Sequence, residues 1–126
     1  MIVIDSSLWI EFFIGSSLGE IIKREDSFQS FQYYVPTIIV REVHKKLSLV
    51  HNQNLADEYC LHLQNGKVVD LNYKVSILSS KLSLIYNLPL ADSIIYATTI
   101  EYKAELYTLD KHFKGLPNVK YFEKVD

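Results

Sequence analysis

Five short apolar runs constrain this chain more than anything else in it: "IVI" (2–4), "YYV" (33–35), "KVV" (67–69), "ELYT" (105–108) and "VKYF" (119–122). Runs this short, rich in Val, Ile and Tyr, read as buried strands. All but the last two are separated by stretches of helical pattern, and that pair is separated by a one-turn loop. Strands that alternate with helices pair in parallel through right-handed crossovers. The pattern predicts an α/β fold, a three-layer α/β/α sandwich around a central parallel sheet of about five strands.

The intervening sequence carries matching start and stop signals. Ser6 or Ser7 opens a helix that runs through Ile14 and stops at Gly15, and "SLGE" (17–20) has capping-box form and opens a second into the mid-twenties. Pro36 and Thr37 open a helix to about Val50, and another runs from Asn52 to near Gly66. After "KVV" a long amphipathic helix turns Val75, Leu78, Leu82 and Ile85 inward. Pro89 then pre-sets "LPLADSIIYATT" (88–99), a helix apolar nearly all round. With 126 residues, 48% hydrophobic and 22% charged, and no repeat or linker, a single domain over 1–126 is expected.

Composition also excludes several classes. The one cysteine, Cys60, has no disulfide partner in the chain and cannot build a cysteine zinc site, so it reads as a small core residue in a reducing compartment. The opening "MIVIDSSLWIEFFIG" lacks a basic n-region and is broken by Asp5 and Glu11, and no run approaches the roughly 20 apolar residues of a membrane span. A cytoplasmic protein without membrane contact is expected. The net charge of −2 leaves no basic nucleic-acid footprint, so a nuclease reading needs metal ions to supply positive charge.

In an open parallel sheet, ligands collect outside the carboxyl ends of the strands. Asp5 follows the first strand, Asp110 follows "LYTL", Glu42 lies in the helix after the second strand, and Asp92 opens the helix leading into the fourth. Asp70, after "KVV", passes the same test equally well. Simpler accounts exist for each. Asp5 is placed to cap the first helix, Asp92 to favour a helix N-terminus, Glu42 to pair with Lys46 at i, i+4, and Asp110 to form a turn. Yet Asp92 shares its helix stripe with Ile95, Tyr96 and Thr99, so it faces inward and needs a partner. Jointly the simple accounts are strained: several carboxylates at one edge repel one another, and hard cations with oxygen ligands are the usual remedy.

"MIVIDSSLWIEFF", "VPTIIVREVHKKL" and "LPLADSIIYATTIEYKAELYTLDKHFKGLPNVKYF" together resemble a PIN domain, specifically the VapC type of toxin in VapBC toxin–antitoxin systems. The resemblance runs from Met1 to about Phe122 and is densest over 88–122. Carried over position by position, the family's four acids fall on Asp5, Glu42, Asp92 and Asp110, and all are present. The family's sheet order puts the third strand at an edge, which would leave Asp70 a helix-capping role. Ser6 and Thr108 match positions where the family carries small hydroxyl residues that orient the acids, although Thr108 is equally suited to its strand.

The resemblance implies an endoribonuclease dependent on Mg²⁺ (or Mn²⁺). Asp5 and Asp92 would hold the principal ion, Asp110 would complete its shell or help with a second, and Glu42 would orient or deprotonate the attacking water. It also implies products with a 5′ phosphate and 3′ hydroxyl, a VapB-like antitoxin as partner, and a homodimer. Arg41, Lys45, Lys46, Lys111, His112 and Lys114 adjoin the acids in sequence and are candidates for the RNA backbone, with a solvated face the simpler reading for Lys45 and Lys46. His44, His51, His62 and His112 show no metal-ligand spacing and read as surface or packing residues. The first helix leaves only Glu11 polar between Leu8 and Ile14, so either Trp9, Phe12 and Phe13 line a partner groove or the helix is buried by its own domain. Two other classes stay open. A catalytically silent PIN-like scaffold would make no use of the full set of acids, and a phosphatase or phospho-receiver leaves Asp110 in "TLD" unexplained.

Overall fold

The structure is a computed structural model and describes residues 1–124. All five expected strands form: β1 (Ile2–Ile4), β2 (Tyr33–Pro36), β3 (Lys67–Val69), β4 (Glu105–Thr108) and β5 (Val119–Tyr121). They make one parallel sheet in the order β3-β2-β1-β4-β5, so every carboxyl end points to one edge. The apolar runs explain the arrangement. β1 is buried along its whole length at the centre, while β3 at the rim leaves Lys67 and Val68 exposed.

Helices flank the sheet: α1 (Ser6–Ile14), α2 (Ser17–Lys23), the single turn α3 (Asp26–Gln29), α4 (Thr37–Val50), α5 (Gln53–Leu61), α6 (Tyr73–Tyr86) and α7 (Leu90–Glu101). Gly15 ends α1 at φ 77°, returning its N–H to Glu11 and Phe12 carbonyls. The helix after it is capped one residue earlier than the capping-box reading has it: the Ser16 hydroxyl accepts the Gly19 amide, and Ser17 lies inside the first turn. The stretch expected as one helix from Asn52 to Gly66 is α5 followed by a 3₁₀ turn (His62–Asn65).

The inward face of α6 also departs from expectation. Ser79 is buried, its hydroxyl 3.0 Å from that of Ser93 on α7, and the stripe continues to half-buried Leu82, with the exposed Tyr86 ring 5.8 Å from Tyr96 beyond it. Ile85 falls off that stripe and is 68% exposed. Among the described residues, no helix is long and apolar enough to cross a membrane.

Trp9 is the largest side chain of the core, 1% exposed and in ring contact with Phe12, Phe13, Phe28 and Tyr33. A tryptophan lining an open partner groove is thus not what the fold presents. Its indole is consumed by the chain's own aromatic cluster, while Phe12 and Phe13 stay half-buried and Ile14 is 47% exposed.

Candidate active site

The sheet order makes β1 and β4 neighbours, and the residues just past their ends share the carboxyl edge. The Asp5 amide continues the ladder by one bond, donating to the Tyr107 carbonyl at 2.9 Å. Asp5 is 3% exposed and does take the N-cap position of α1, but through its backbone: its carbonyl accepts from Leu8 and Trp9 while its carboxylate makes no cap bond. That carboxylate turns into the edge instead. Its Oδ2 accepts from the Thr108 hydroxyl at 2.8 Å and the Ser7 hydroxyl at 2.9 Å.

Each hydroxyl is used twice, as donor and acceptor. Thr108 Oγ1 accepts the Asp110 amide at 2.9 Å, and Ser7 Oγ accepts the Leu109 amide at 3.1 Å. The loop after β4 is therefore stitched to the residue after β1. Burial pushes the Asp5 carboxyl above its ordinary range, the two hydroxyls oppose the rise, and the Asp110 charge adds to it.

Asp92 lies in the first turn of α7, where no side chain caps the helix. Its Oδ2 meets His112 Nδ1 at 2.7 Å instead. The same ring nitrogen is 3.2 Å from Asp110 Oδ1, which also accepts the His112 amide at 2.9 Å and so closes the 3₁₀ turn Lys111–Phe113. Burial, then the Asp110 charge, push the Asp92 carboxyl up to about 6, against the contact with His112. The imidazole is raised in turn, by the Asp92 contact first and by the Asp110 charge.

Glu42 is half-buried in the second turn of α4. Its Oε1 accepts from the Ser6 hydroxyl at 3.1 Å, a bond that joins α4 to the start of α1; a pairing with Lys46 does not form. Burial raises the Glu42 carboxyl, Ser6 lowers it, and the charges of Asp5 and Asp110 push it up against Arg41.

Asp5 and Asp110 are thus within electrostatic reach of each other and of both Asp92 and Glu42. Asp70 is not. It stands exposed beyond the edge strand β3, and it does not cap α6 either, because the Asn72 side chain accepts the Val75 amide at 2.9 Å. Beside it, the ends of β2 and β3 open on an apolar pocket of about 260 Å³ lined by Pro36, Val69, Leu71 and Ile94.

Two residues at the edge make contacts with the acids that the sequence pattern does not reveal. Ser7 reads in sequence only as a helix opener, yet "DSS" right after a strand offers a second hydroxyl to the Asp5 carboxylate. His112, expected as a surface or packing residue and a candidate for the RNA backbone, is exposed, but the two-residue spacing in "DKH" also lets an Asp-closed turn bring its ring over the acids.

Ligand atoms of Asp92, Asp110 and His112 lie within 4.8 Å of one another. Hard carboxylate oxygens converging with one imidazole nitrogen are a donor set that suits a divalent cation.

The family model for the PIN domain matches residues 2–119. Among solved structures, a toxin–antitoxin complex from Klebsiella pneumoniae contains a chain superposing at a TM-score of 0.83 with 23% identity, covering 98% of this chain and 100% of that one. A chain of VapBC2 from Rickettsia felis, bound to a DNA fragment from its promoter, superposes at 0.73 with 15% identity over 98% of each chain. The Mycobacterium tuberculosis toxin VapC20, described as cleaving the sarcin-ricin loop, superposes at 0.76 with 11% identity, covering 93% of this chain and 95% of that one. At these identities the likeness is one of fold. A search of curated proteins finds no match.

Proposed function

The chain belongs to the PIN domain family, and on that footing we propose that it is a Mg²⁺- or Mn²⁺-dependent endoribonuclease, the toxin of a type II toxin–antitoxin pair, acting in the cytoplasm as a single domain. One observation carries the chemical half: Asp92 and Asp110 converge at one sheet edge, and burial together with the Asp110 charge raises the carboxyls of Asp5, Asp92 and Glu42. The fold shared with chains of toxin–antitoxin complexes supports the biological half.

Asp5, Asp92 and Asp110 would hold the cation. When bound, it neutralises the cluster so that an RNA phosphate can approach, and it makes a coordinated water acidic enough to attack near neutral pH. The chain's own groups do the rest. Ser7 and Thr108 both donate to Oδ2 and so fix the Asp5 carboxylate. Ser6 holds one oxygen of Glu42, and the other accepts the proton of the attacking water, a task helped by a carboxyl already raised by burial. Arg41, exposed beside Glu42, and Lys111, exposed beside Asp110, are placed to meet backbone phosphates. Attack of water on phosphorus with departure of the 3′ oxygen leaves a 5′ phosphate and a 3′ hydroxyl.

A VapB-like antitoxin would restrain the enzyme, with a homodimer as the working assembly. Half-buried Phe12 and Phe13, together with exposed Ile14, are a part of α1 still open to a partner. The test is incubation of the purified, antitoxin-free protein with labelled structured RNA. Cleavage with Mn²⁺ or Mg²⁺ that stops with EDTA and with Asp92→Asn supports the reading. Absence of cleavage across several RNAs would leave a silent PIN-fold scaffold.

A further inference from the structure

His112 is exposed, so it contributes nothing to the core, and its side chain has two polar neighbours: Asp92 Oδ2 at 2.7 Å and Asp110 Oδ1 at 3.2 Å. Its position is built rather than incidental. Asp110 Oδ1 accepts the His112 amide at 2.9 Å, and the Asp110 amide is itself anchored on buried Thr108 at 2.9 Å. Backbone and side chain together therefore deliver the ring nitrogen to the two carboxylates that α7 and the β4 loop provide.

We propose that His112 is a ligand of the cation site, donating Nδ1 alongside Asp92 and Asp110, and that this nitrogen makes the site favour Mn²⁺ over Mg²⁺. The inference rests on the metal-dependent reading above and deepens it. Mg²⁺ keeps to oxygen donors and holds its waters tightly, whereas first-row transition ions accept imidazole readily. A site of carboxylates alone would discriminate little between the two ions. A cation among these atoms would take the place of the proton that Nδ1 shares with the carboxylates, so Nδ1 must be deprotonated to ligate.

A merely structural role, a tether between the 3₁₀ turn and α7, is the competing account, and His112→Gln separates the two. The glutamine amide can still donate to Asp92 but offers no ring nitrogen. The experiment is a titration of the metal-free protein with Mn²⁺ alone and with Mg²⁺ alone, followed by heat, with pulsed electron paramagnetic resonance of the Mn²⁺ form. The expected result is a ¹⁴N coupling on Mn²⁺ that disappears in His112→Gln, with Mn²⁺ affinity falling about tenfold and Mg²⁺ affinity by less than about twofold. Equal losses for both ions, or a wild-type Mn²⁺ signal without nitrogen coupling, overturns the inference while leaving the carboxylate site in place. If wild-type protein binds neither ion, and Asp92→Asn changes nothing, the metal-dependent reading falls and this inference with it.

Discussion

The Thr108 hydroxyl lies 2.8 Å from Asp5 Oδ2, and this bond joins residues 103 positions apart at the ends of adjacent strands. Thr108 is fully buried, and the same oxygen accepts the amide of Asp110. One hydroxyl therefore sets the spacing of two acids. Thr108→Val keeps the shape and the strand preference but leaves a buried amide and carboxylate short of a partner. It should cost about 1–3 kcal/mol of stability in chemical denaturation, the desolvation penalty of an orphaned group. It should also lower Mn²⁺ affinity about 10- to 100-fold, the usual effect of removing a residue that orients a metal ligand. Unchanged Mn²⁺ binding would show that the strand alone positions Asp5.

Ser6 and Ser7 differ in what they hold. Ser6 donates to Glu42, whereas Ser7 donates to Asp5 and accepts from Leu109. Ser6→Ala should reduce the rate of RNA cleavage while leaving the Mn²⁺-induced rise in melting temperature intact. Ser7→Ala should reduce both. The same loss of metal response in the two variants would contradict separate roles for Glu42 and Asp5.

The pH dependence has a definite sign. The Asp92 carboxyl is pushed from its ordinary 3.8 up to about 6, by burial first. In metal-free protein, between about pH 4 and about pH 6, the folded state keeps a proton that the unfolded chain gives up, so stability falls as pH rises through that window. His112 acts in the same direction, since its raised pKa stabilises the fold below its ordinary 6.5 and that contribution is lost as pH climbs past the raised value. Melting in EDTA should therefore drop from about pH 5 to about pH 7.5, with Asp92→Asn flattening the profile. Mn²⁺ competes with protons for these groups, so its stabilising effect should grow over the same range. A melting temperature that rises with pH in EDTA would contradict the assignment.

Gly19 is where α1 and α2 touch. A Cβ there would lie 2.6 Å from the Phe12 Cα and 2.7 Å from the Glu11 carbonyl oxygen, both backbone atoms that cannot yield cheaply. Gly19→Ala should destabilise by about 1–3 kcal/mol through forced separation of the helices. At Gly15 nothing lies within 4 Å, so the left-handed φ of 77° is the sole obstacle to a side chain. Gly15→Asn should be much milder, and equal losses in denaturant midpoint would argue against the close-approach explanation.

The strands were legible because the sheet's inner strands are buried and therefore written as uninterrupted apolar runs such as "IVI". The acids were legible because a parallel sheet sends whatever follows its strands to one edge. Individual hydrogen bonds were not. His112 comes over Asp92 only because Asp110 closes its turn, a contact that depends on backbone geometry two residues long. Trp9 is indistinguishable in sequence from a partner-facing aromatic, and Phe28 and Tyr33, distant in the chain, decide its burial. Ile85 misled for a related reason: the apolar spacing of α6 permits two stripes, and the Ser79–Ser93 approach selects the one that omits it.

The most direct test of the central claim is the chemistry of the cut ends. Attack by water, with Glu42 taking its proton and the 3′ oxygen departing, leaves a 5′ phosphate and a 3′ hydroxyl, whereas metal-free attack by the RNA's own 2′ hydroxyl leaves a 2′,3′-cyclic phosphate. Mass spectrometry of the fragments made in Mn²⁺ should show the first pair of ends, with no fragments from Asp92→Asn. Cyclic phosphate ends, or cleavage that persists in EDTA, would mean that these acids do not form the catalytic centre described here.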